Sequence, residues 1–392
     1  MKKVIYSLIC LAFSSTAYAQ SDMQDILQTI ETNNSTLKAL KEEMNAQKIS
    51  NKTGIYLQNP EVEFTHLWGS PKMVGNEKDL NIKQTFDFAT ISGRRNELAN
   101  KQNVLIDIQY KSNRLTILSE AKQYLVDYLY YQSLKSELNV RLQHAQIIAQ
   151  VYKKRLEQGD GNILEYNKAQ LNLSMIEGEM SANKVEEQAL NAQLTRLNAG
   201  QELNLAAVNF DLEKLPDDFD TWYQTAESKN PLLAYIKQEI EVGKQQVSVN
   251  KALGMPNFSA GYVREKSTGQ SLNGVMVGLS IPLWENKNRV KQAKLSIRAA
   301  EERQMDAQLQ FYQQLKASYQ KAYGLQQTAT AYKKSLQSTN NIELLSKALN
   351  AGELSLLEYM VELSIYYENV NRTLIAERDY QRALAQLKEV EL

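Results

Sequence analysis

Few residues in this 392-residue chain have the types and spacing that chemistry requires. His66 and His144, its two histidines, fall in different patterns, one alternating and one helical, so no His-x-x-x-His pair offers two nitrogens to a metal. The single cysteine, Cys10, lies inside an N-terminal apolar run and leaves the rest of the chain without a thiol, a disulfide or a cysteine metal site. No glycine-rich phosphate loop or nucleophile elbow is present, and acid–base runs such as Glu301-Glu302-Arg303 read as solvated helix faces. Tyr124, Tyr128, Tyr130, Tyr131, Tyr366 and Tyr367 follow helix-packing stripes. No catalytic, cofactor-binding or metal site is therefore expected. What remains is a pair of carboxylates, Glu165 and Glu358, each following a glycine at the same distance. Read from the residues alone, both acids favour the start of a helix.

The two glutamates belong to one phrase written twice. Leu156-x-x-Gly159-x-x-x-Ile163-Leu164-Glu165-Tyr166 returns as Leu349-x-x-Gly352-x-x-x-Leu356-Leu357-Glu358-Tyr359. Asn34 to Leu40, ahead of Pro60, is likewise matched by Asn230 to Ile236, ahead of Pro256. The spacing is near half the chain, far above a solenoid period of roughly 20–50 residues, and predicts a duplication with repeats at 20–228 and 229–392.

Six prolines, at positions 60, 71, 216, 231, 256 and 282, leave two long stretches free of them. Because an interior proline costs a helix about 3 kcal/mol, those stretches permit very long helices. The pattern predicts helices over 22–53, 91–158, 162–198, 231–253, 287–350 and 355–390. Gly159 and Gly352 would turn the chain at 158–162 and 351–355, at the ends farthest from the strands, with Leu164 and Leu357 packing the returning helix. An equatorial segment over 200–230 is expected to interrupt the returning helices. At ~1.5 Å per residue the long helices span ~95–100 Å, and the N- and C-terminal helices would have to stack end to end to complete the second returning layer.

Four segments alternate with period two instead. Val62, Phe64, His66 and Trp68 share one face opposite Glu61, Glu63 and Thr65; Leu80, Ile82, Phe86 and Phe88 alternate with Asn81, Lys83, Thr85 and Asp87. Phe258, Ala260 and Tyr262, then Val275, Val277, Leu279, Ile281 and Leu283, repeat the pattern. Two hairpins are expected, at 59–88 and 257–284, with loops from Gly69 to Asp79 and from Glu265 to Asn273. Strands of ~9–11 residues suit a tilted transmembrane barrel, but four cannot close one, and an open edge in lipid is costly. Closure would recruit further copies, giving 8 strands from two or 12 from three; a soluble sheet capping a coiled coil is the other reading.

Met1 to Ala19, with Lys2, Lys3, an apolar run from Val4 to Phe13 and Ala17-Tyr18-Ala19, has the three regions of a secretory signal peptide. Export with cleavage after Ala19 is expected. Beyond it no stretch approaches the roughly 20 apolar residues of a spanning helix. With 45 basic against 45 acidic residues there is no basic field for nucleic acid.

The chain resembles the TolC-like outer-membrane efflux proteins. The resemblance rests on both repeats, each β-hairpin plus long helical hairpin, on Ser280-Ile281-Pro282-Leu283-Trp284 followed by Asn288-Arg289, on Thr85-Phe86-Asp87-Phe88 followed by Gly93-Arg94-Arg95, and on the glycine turn before Leu-Leu-Glu-Tyr. It implies a mainly α fold with long helical hairpins forming a periplasmic barrel, and a homotrimer whose four strands per chain build a 12-stranded outer-membrane barrel. It also implies contact with outer-membrane lipid, docking to a periplasmic adaptor protein, and an inner-membrane pump of RND, ABC or MFS type. On this resemblance Gly159, Leu164, Glu165, Tyr166, Gly352, Leu357, Glu358 and Tyr359 would form the periplasmic tip and docking site. Trp68 and Trp284, near strand ends, suit a membrane interface. Val361 stands where a second acidic position can occur in such channels, with Glu362 beside it, so a two-layer acidic gate is not expected. The arginines and asparagine after Gly93 and Pro282 would be interfacial or plain helix-start residues. The expected function is a passive export duct of a tripartite efflux or type I secretion system; the alternative is a periplasmic coiled-coil adaptor or structural protein.

Overall fold

A computed structural model describes residues 23–205, 214–338 and 342–392. The expected signal peptide at 1–19 and part of the expected 200–230 segment lie outside the described residues. Ten α-helices are described, α1 (Met23–Asn33), α2 (Ser35–Asn51), α3 (Phe88–Ile91), α4 (Arg94–Glu157), α5 (Ile163–Leu197), α6 (Phe219–Lys229), α7 (Pro231–Leu253), α8 (Arg289–Ser338), α9 (Ile342–Ala351) and α10 (Leu356–Leu387). Four strands lie between them, β1 (Glu61–Trp68), β2 (Asn76–Phe86), β3 (Asn257–Ser267) and β4 (Gln270–Ser280). Among the described residues no helix is long and apolar enough to cross a membrane.

Two expected boundaries change. The single helix over 22–53 is two helices, because the buried Asn34 stands between them and donates its Nδ2–H to the Leu197 carbonyl at 2.7 Å. The 200–230 segment contains α6. Asp218 caps it by accepting from the Thr221 amide at 2.8 Å; Asn230 then ends it and caps α7, where Pro231 takes the first turn.

The chain forms two compact units, residues up to Asn34 with 121–214, and residues 35–120 with 215–392. In the first, α5 packs on the second half of α4. Its buried positions Ala169, Ile176, Asn183 and Leu197 recur in steps of seven or fourteen, as Leu138, Ala145 and Tyr152 do on α4. A sustained seven-residue repeat is the geometry of a left-handed supercoil. Asn183 occupies one of these core positions and donates to the Tyr131 carbonyl at 3.2 Å, while Glu187 takes Lys135 at 3.0 Å and Gln132 at 2.7 Å.

The second unit repeats the device. Ala293 and Ala300, then Leu315, Ala322 and Ala329, are buried on α8; Leu356, Leu363 and Val370 are buried on α10. Small residues at these steps let the helices approach closely, and Gly243 of α7 goes further, since a Cβ there would meet Ile297 Cγ1 of α8 at 2.9 Å. Around α6, Phe219 stacks against Tyr319 and Tyr312, with ring centroids 5.4 and 5.6 Å away, over a core of Ala322, Leu384 and Leu387.

The strands pair antiparallel in the order β1-β2-β3-β4. The first loop runs over 69–75, with a single 3-10 turn at Lys72–Val74, and the second is the two-residue turn Thr268-Gly269, where Gly269 has φ +84°. Both are shorter than the alternation predicts, because β2 begins at Asn76, β3 runs on to Ser267 and β4 begins at Gln270.

Candidate functional site

The register fixes what each face of the sheet presents. Val62, Ile82, Tyr262 and Val275 lie in one row, with Phe64 and Leu80 nearer the turns and Phe86, Phe258 and Leu279 nearer the helices, all on the same face. Val62, Phe64, Val275 and Val277 are exposed there. The opposite face carries Glu61, Glu63, Asn81, Lys83, Thr85, Ser259, Gly261, Gly278 and Ser280, interspersed with Leu67, Val263, Leu272 and Met276. A sheet with an exposed apolar side and a polar opposite side is the pattern of a strand set with lipid outside and water inside.

Charge follows the same division, which hydrophobic alternation alone does not reveal. Lys78, Arg264 and Lys266 stand on the apolar face near the turns, while Glu61, Glu63, Glu77, Asp79 and Glu265 stand on the polar face with a single cation, Lys83, which pairs with Glu61 at 3.3 Å. Lys78 and Lys266 are direct cross-strand partners; so are Asp79 and Glu265, one register step away on the other side. Strand parity was the signal that could have found this. Trp68 closes the turn end of β1 and Trp284 follows β4 at the helix end; each is 79% exposed.

The strand-to-helix corners are built by side chains the sequence singled out. Asp87 ends β2 and caps α3 by accepting from the Thr90 amide at 2.6 Å, and Arg95 lies 3.3 Å from its carboxylate. Gly93, with φ +73°, redirects the chain into α4, where Arg94 donates to the Ser248 carbonyl and hydroxyl of α7 at 3.2 and 2.9 Å. At the second corner Asn288 holds φ +68°, and the buried Asn250 donates to the Arg289 carbonyl at 3.2 Å. These groups are tied into the protein backbone.

The two glycine turns have the same bonding. Gly159 (φ +83°) follows α4, with its amide on the Leu156 carbonyl at 3.1 Å and the Asp160 amide on Arg155 at 3.0 Å; Gly352 (φ +75°) follows α9, with its amide on Leu349 at 3.1 Å and the Glu353 amide on Ala348 at 2.9 Å. Each is a Schellman closure requiring a left-handed residue. Beyond the first, Asn162 caps α5 by accepting from the Leu164 amide. Glu165 and Tyr166 are half-buried, and the Tyr152 hydroxyl is pushed above its ordinary pKa by burial and by the Glu165 carboxylate. Beyond the second, Ser355 and Glu358 form a reciprocal capping box, with Glu358 accepting from the Ser355 amide at 2.8 Å; those bonds hold its carboxyl below the usual range.

Leu164 and Leu357 do not pack the returning helix. They are 63% and 53% exposed, while the neighbouring Leu356 and Tyr359 are buried, at 2% and 4%. Beyond the second turn the buried stripe therefore falls one position before and two after Leu357; beyond the first, Ile163 is itself 52% exposed and Tyr166 half-buried. Among the described residues no group of three or more His, Cys, Asp or Glu side chains is placed to hold a metal.

The long paired helices and the four-stranded antiparallel sheet have the fold of solved outer-membrane channels. The fold is similar to that of a membrane protein from Pseudomonas aeruginosa (TM-score 0.75, 14% identity, 94% of this chain and 92% of that one). It is similar also to the outer-membrane channel OprN (TM-score 0.74, 13% identity, 94% and 89%) and to the open state of the MtrE outer-membrane channel of Neisseria gonorrhoeae (TM-score 0.74, 13% identity, 94% and 88%). In sequence the chain is 22% identical over 338 residues to the alkaline protease secretion protein AprF of Pseudomonas aeruginosa, covering 79% of this chain and 68% of that protein. No family model matches.

Proposed function

We propose that the chain is the outer-membrane duct of a tripartite efflux or type I secretion system. The observation that carries this is the sheet: its apolar face is exposed, and its outer strands β1 and β4 each have a neighbour on one side only. Such a sheet is stable in lipid only when the edges are paired. β1 and β4 run in opposite directions, so β4 of one copy can pair antiparallel with β1 of the next, and three copies give a 12-stranded barrel. The apolar face meets outer-membrane lipid, with Trp68 and Trp284 at its two borders, and the polar face lines the passage. The helical hairpins extend into the periplasm.

The turns at Gly159 and Gly352 form the periplasmic tip in this reading. Leu164 and Leu357 are its exposed apolar contacts for an adaptor protein, flanked by Glu165, Tyr166, Glu358 and Tyr359. Transport is passive in the chain itself, and an inner-membrane pump of RND, ABC or MFS type supplies the energy. AprF, named for alkaline protease secretion, and the outer-membrane channels of similar fold support the assignment.

The test is the mass of the detergent-extracted protein by light scattering with bound detergent subtracted, followed by conductance in planar bilayers. Three copies that conduct are expected. A monomer that remains soluble without detergent and forms no pores overturns the duct and favours a periplasmic adaptor or structural protein.

A further inference from the structure

On the apolar face of the sheet the only charges are positive. Lys78, Arg264 and Lys266 are exposed and make no ion pair among the described residues, and every carboxylate of the four strands is on the other side. Lys78 and Lys266 are cross-strand partners, and Arg264 follows Lys266 on the same face one pleat repeat away, ~7 Å along the strand. Like charges directly opposite one another repel, and no carboxylate of the described residues pairs with them. Lysine and arginine at the border of an apolar band keep their stems on it and hold their charges in the headgroup layer, where phosphate is the anion at hand.

Their level is marked by neighbours. Tyr262, in the last fully apolar row, turns its hydroxyl toward the turns and donates to Asn273 Oδ1 at 2.9 Å. His66, in the row of Lys78, stacks against Trp68 with centroids 4.6 Å apart. An aromatic side chain with its polar tip directed away from an apolar band is characteristic of a membrane–water border. The cations therefore stand at the height of the lipid headgroups, on the side of the membrane away from the helices.

We infer that Lys78, Arg264 and Lys266 form a binding site for the phosphate of a phosphorylated lipid in the outer leaflet. The two lysines supply point charges to one phosphate, and the arginine supplies a planar pair of donors. This rests on the membrane orientation proposed above. It adds that the chain selects its lipid neighbours by headgroup charge, at one site per copy.

The test uses the full chain reconstituted in phosphatidylcholine bilayers with a trace of spin-labelled phosphatidic acid or spin-labelled phosphatidylcholine, reading the fraction of each held at the protein. A preference of about threefold or more for phosphatidic acid is expected, falling to parity in the triple variant Lys78→Gln, Arg264→Gln, Lys266→Gln and persisting in Asp79→Asn, Glu265→Gln. Conductance is recorded in the same membranes. Pores without any lipid preference in the native chain, or with a preference that survives the triple variant, overturn the site and leave the duct standing. Loss of the preference on adding inorganic phosphate assigns the site to soluble phosphate and overturns the lipid. Absence of pores in every membrane overturns both.

Discussion

Replacing Glu63, Glu77, Asp79 and Glu265 with their amides is expected to abolish the cation preference of the pore. Five carboxylates stand on the polar face of the sheet, which lines the passage in the proposed duct, against one ammonium, that of Lys83, already paired with Glu61. That leaves four negative charges per chain and about twelve in a trimer. The Asp79 and Glu265 side chains, as direct partners, have Cβ atoms ~5 Å apart, where two like charges repel by ~1 kcal/mol in a water-like medium and ~3 kcal/mol at an effective dielectric near 20. Mobile cations relieve that repulsion and are enriched in the mouth. With a Debye length of ~10 Å at 0.1 M salt, the field reaches well into the passage; at 1 M it is confined to ~3 Å of the wall. Across a tenfold potassium chloride gradient an ideally cation-selective pore reverses at ~59 mV. The native pore is expected to reverse beyond ~30 mV with dilute salt and to lose much of that near 1 M, whereas the four-amide variant falls within ~10 mV of zero. Glu358→Gln alone measures the share of the distant turn. A four-amide trimer that conducts with unaltered reversal potential refutes the assignment of faces.

Other expectations concern the helices. Gly352→Ala and Gly159→Ala meet no atom within 4 Å of the new Cβ, so their cost is the left-handed backbone alone, ~1–2 kcal/mol at each turn, read as faster proteolytic nicking there. Leu384→Ala opens a cavity at a residue 1% exposed beneath the Phe219 cluster and is expected to cost ~2–5 kcal/mol, seen as a lower thermal midpoint by circular dichroism. Glu389 has its pKa raised by burial, partly offset by a hydrogen bond with Ser119. Its protonated form is therefore favoured by folding, and the stability so gained is lost as pH rises through the raised value. Glu389→Gln should raise the thermal midpoint at neutral pH and make no difference below the ordinary glutamate range.

The strands were legible because one side of each is apolar, and alternation over Val62 to Trp68 or Val275 to Leu279 survives any uncertainty in register. Strand ends were not: from Arg264 to Ser267 no residue is apolar, and what alternates there is the sign of charge, which a hydrophobic pattern passes over. The long helices were legible from the absence of proline. The break at Asn34 and helix α6 were not legible from the proline gaps, although Asn33-Asn34-Ser35 and Asp217-Asp218 are both runs of capping residues. Gly159 and Gly352 stand out by type and spacing, and both hold positive φ. Which leucine faces inward beyond them was not legible, since Leu356 and Leu357 are chemically alike and only the phase of the helix distinguishes them.

The outer strands have a consequence for assembly. An isolated chain carries two unsatisfied ladders, eight residues long on β1 and eleven on β4, and in hydrocarbon each unpaired group costs several kcal/mol. In the proposed duct, insertion must therefore follow or accompany association, so its rate should climb faster than linearly with the concentration of chains. Before that encounter the same ladders are templates for indiscriminate strand pairing. The ratio of synthesis to productive encounter, set outside the sequence, then decides how many chains end as pores and how many as aggregate.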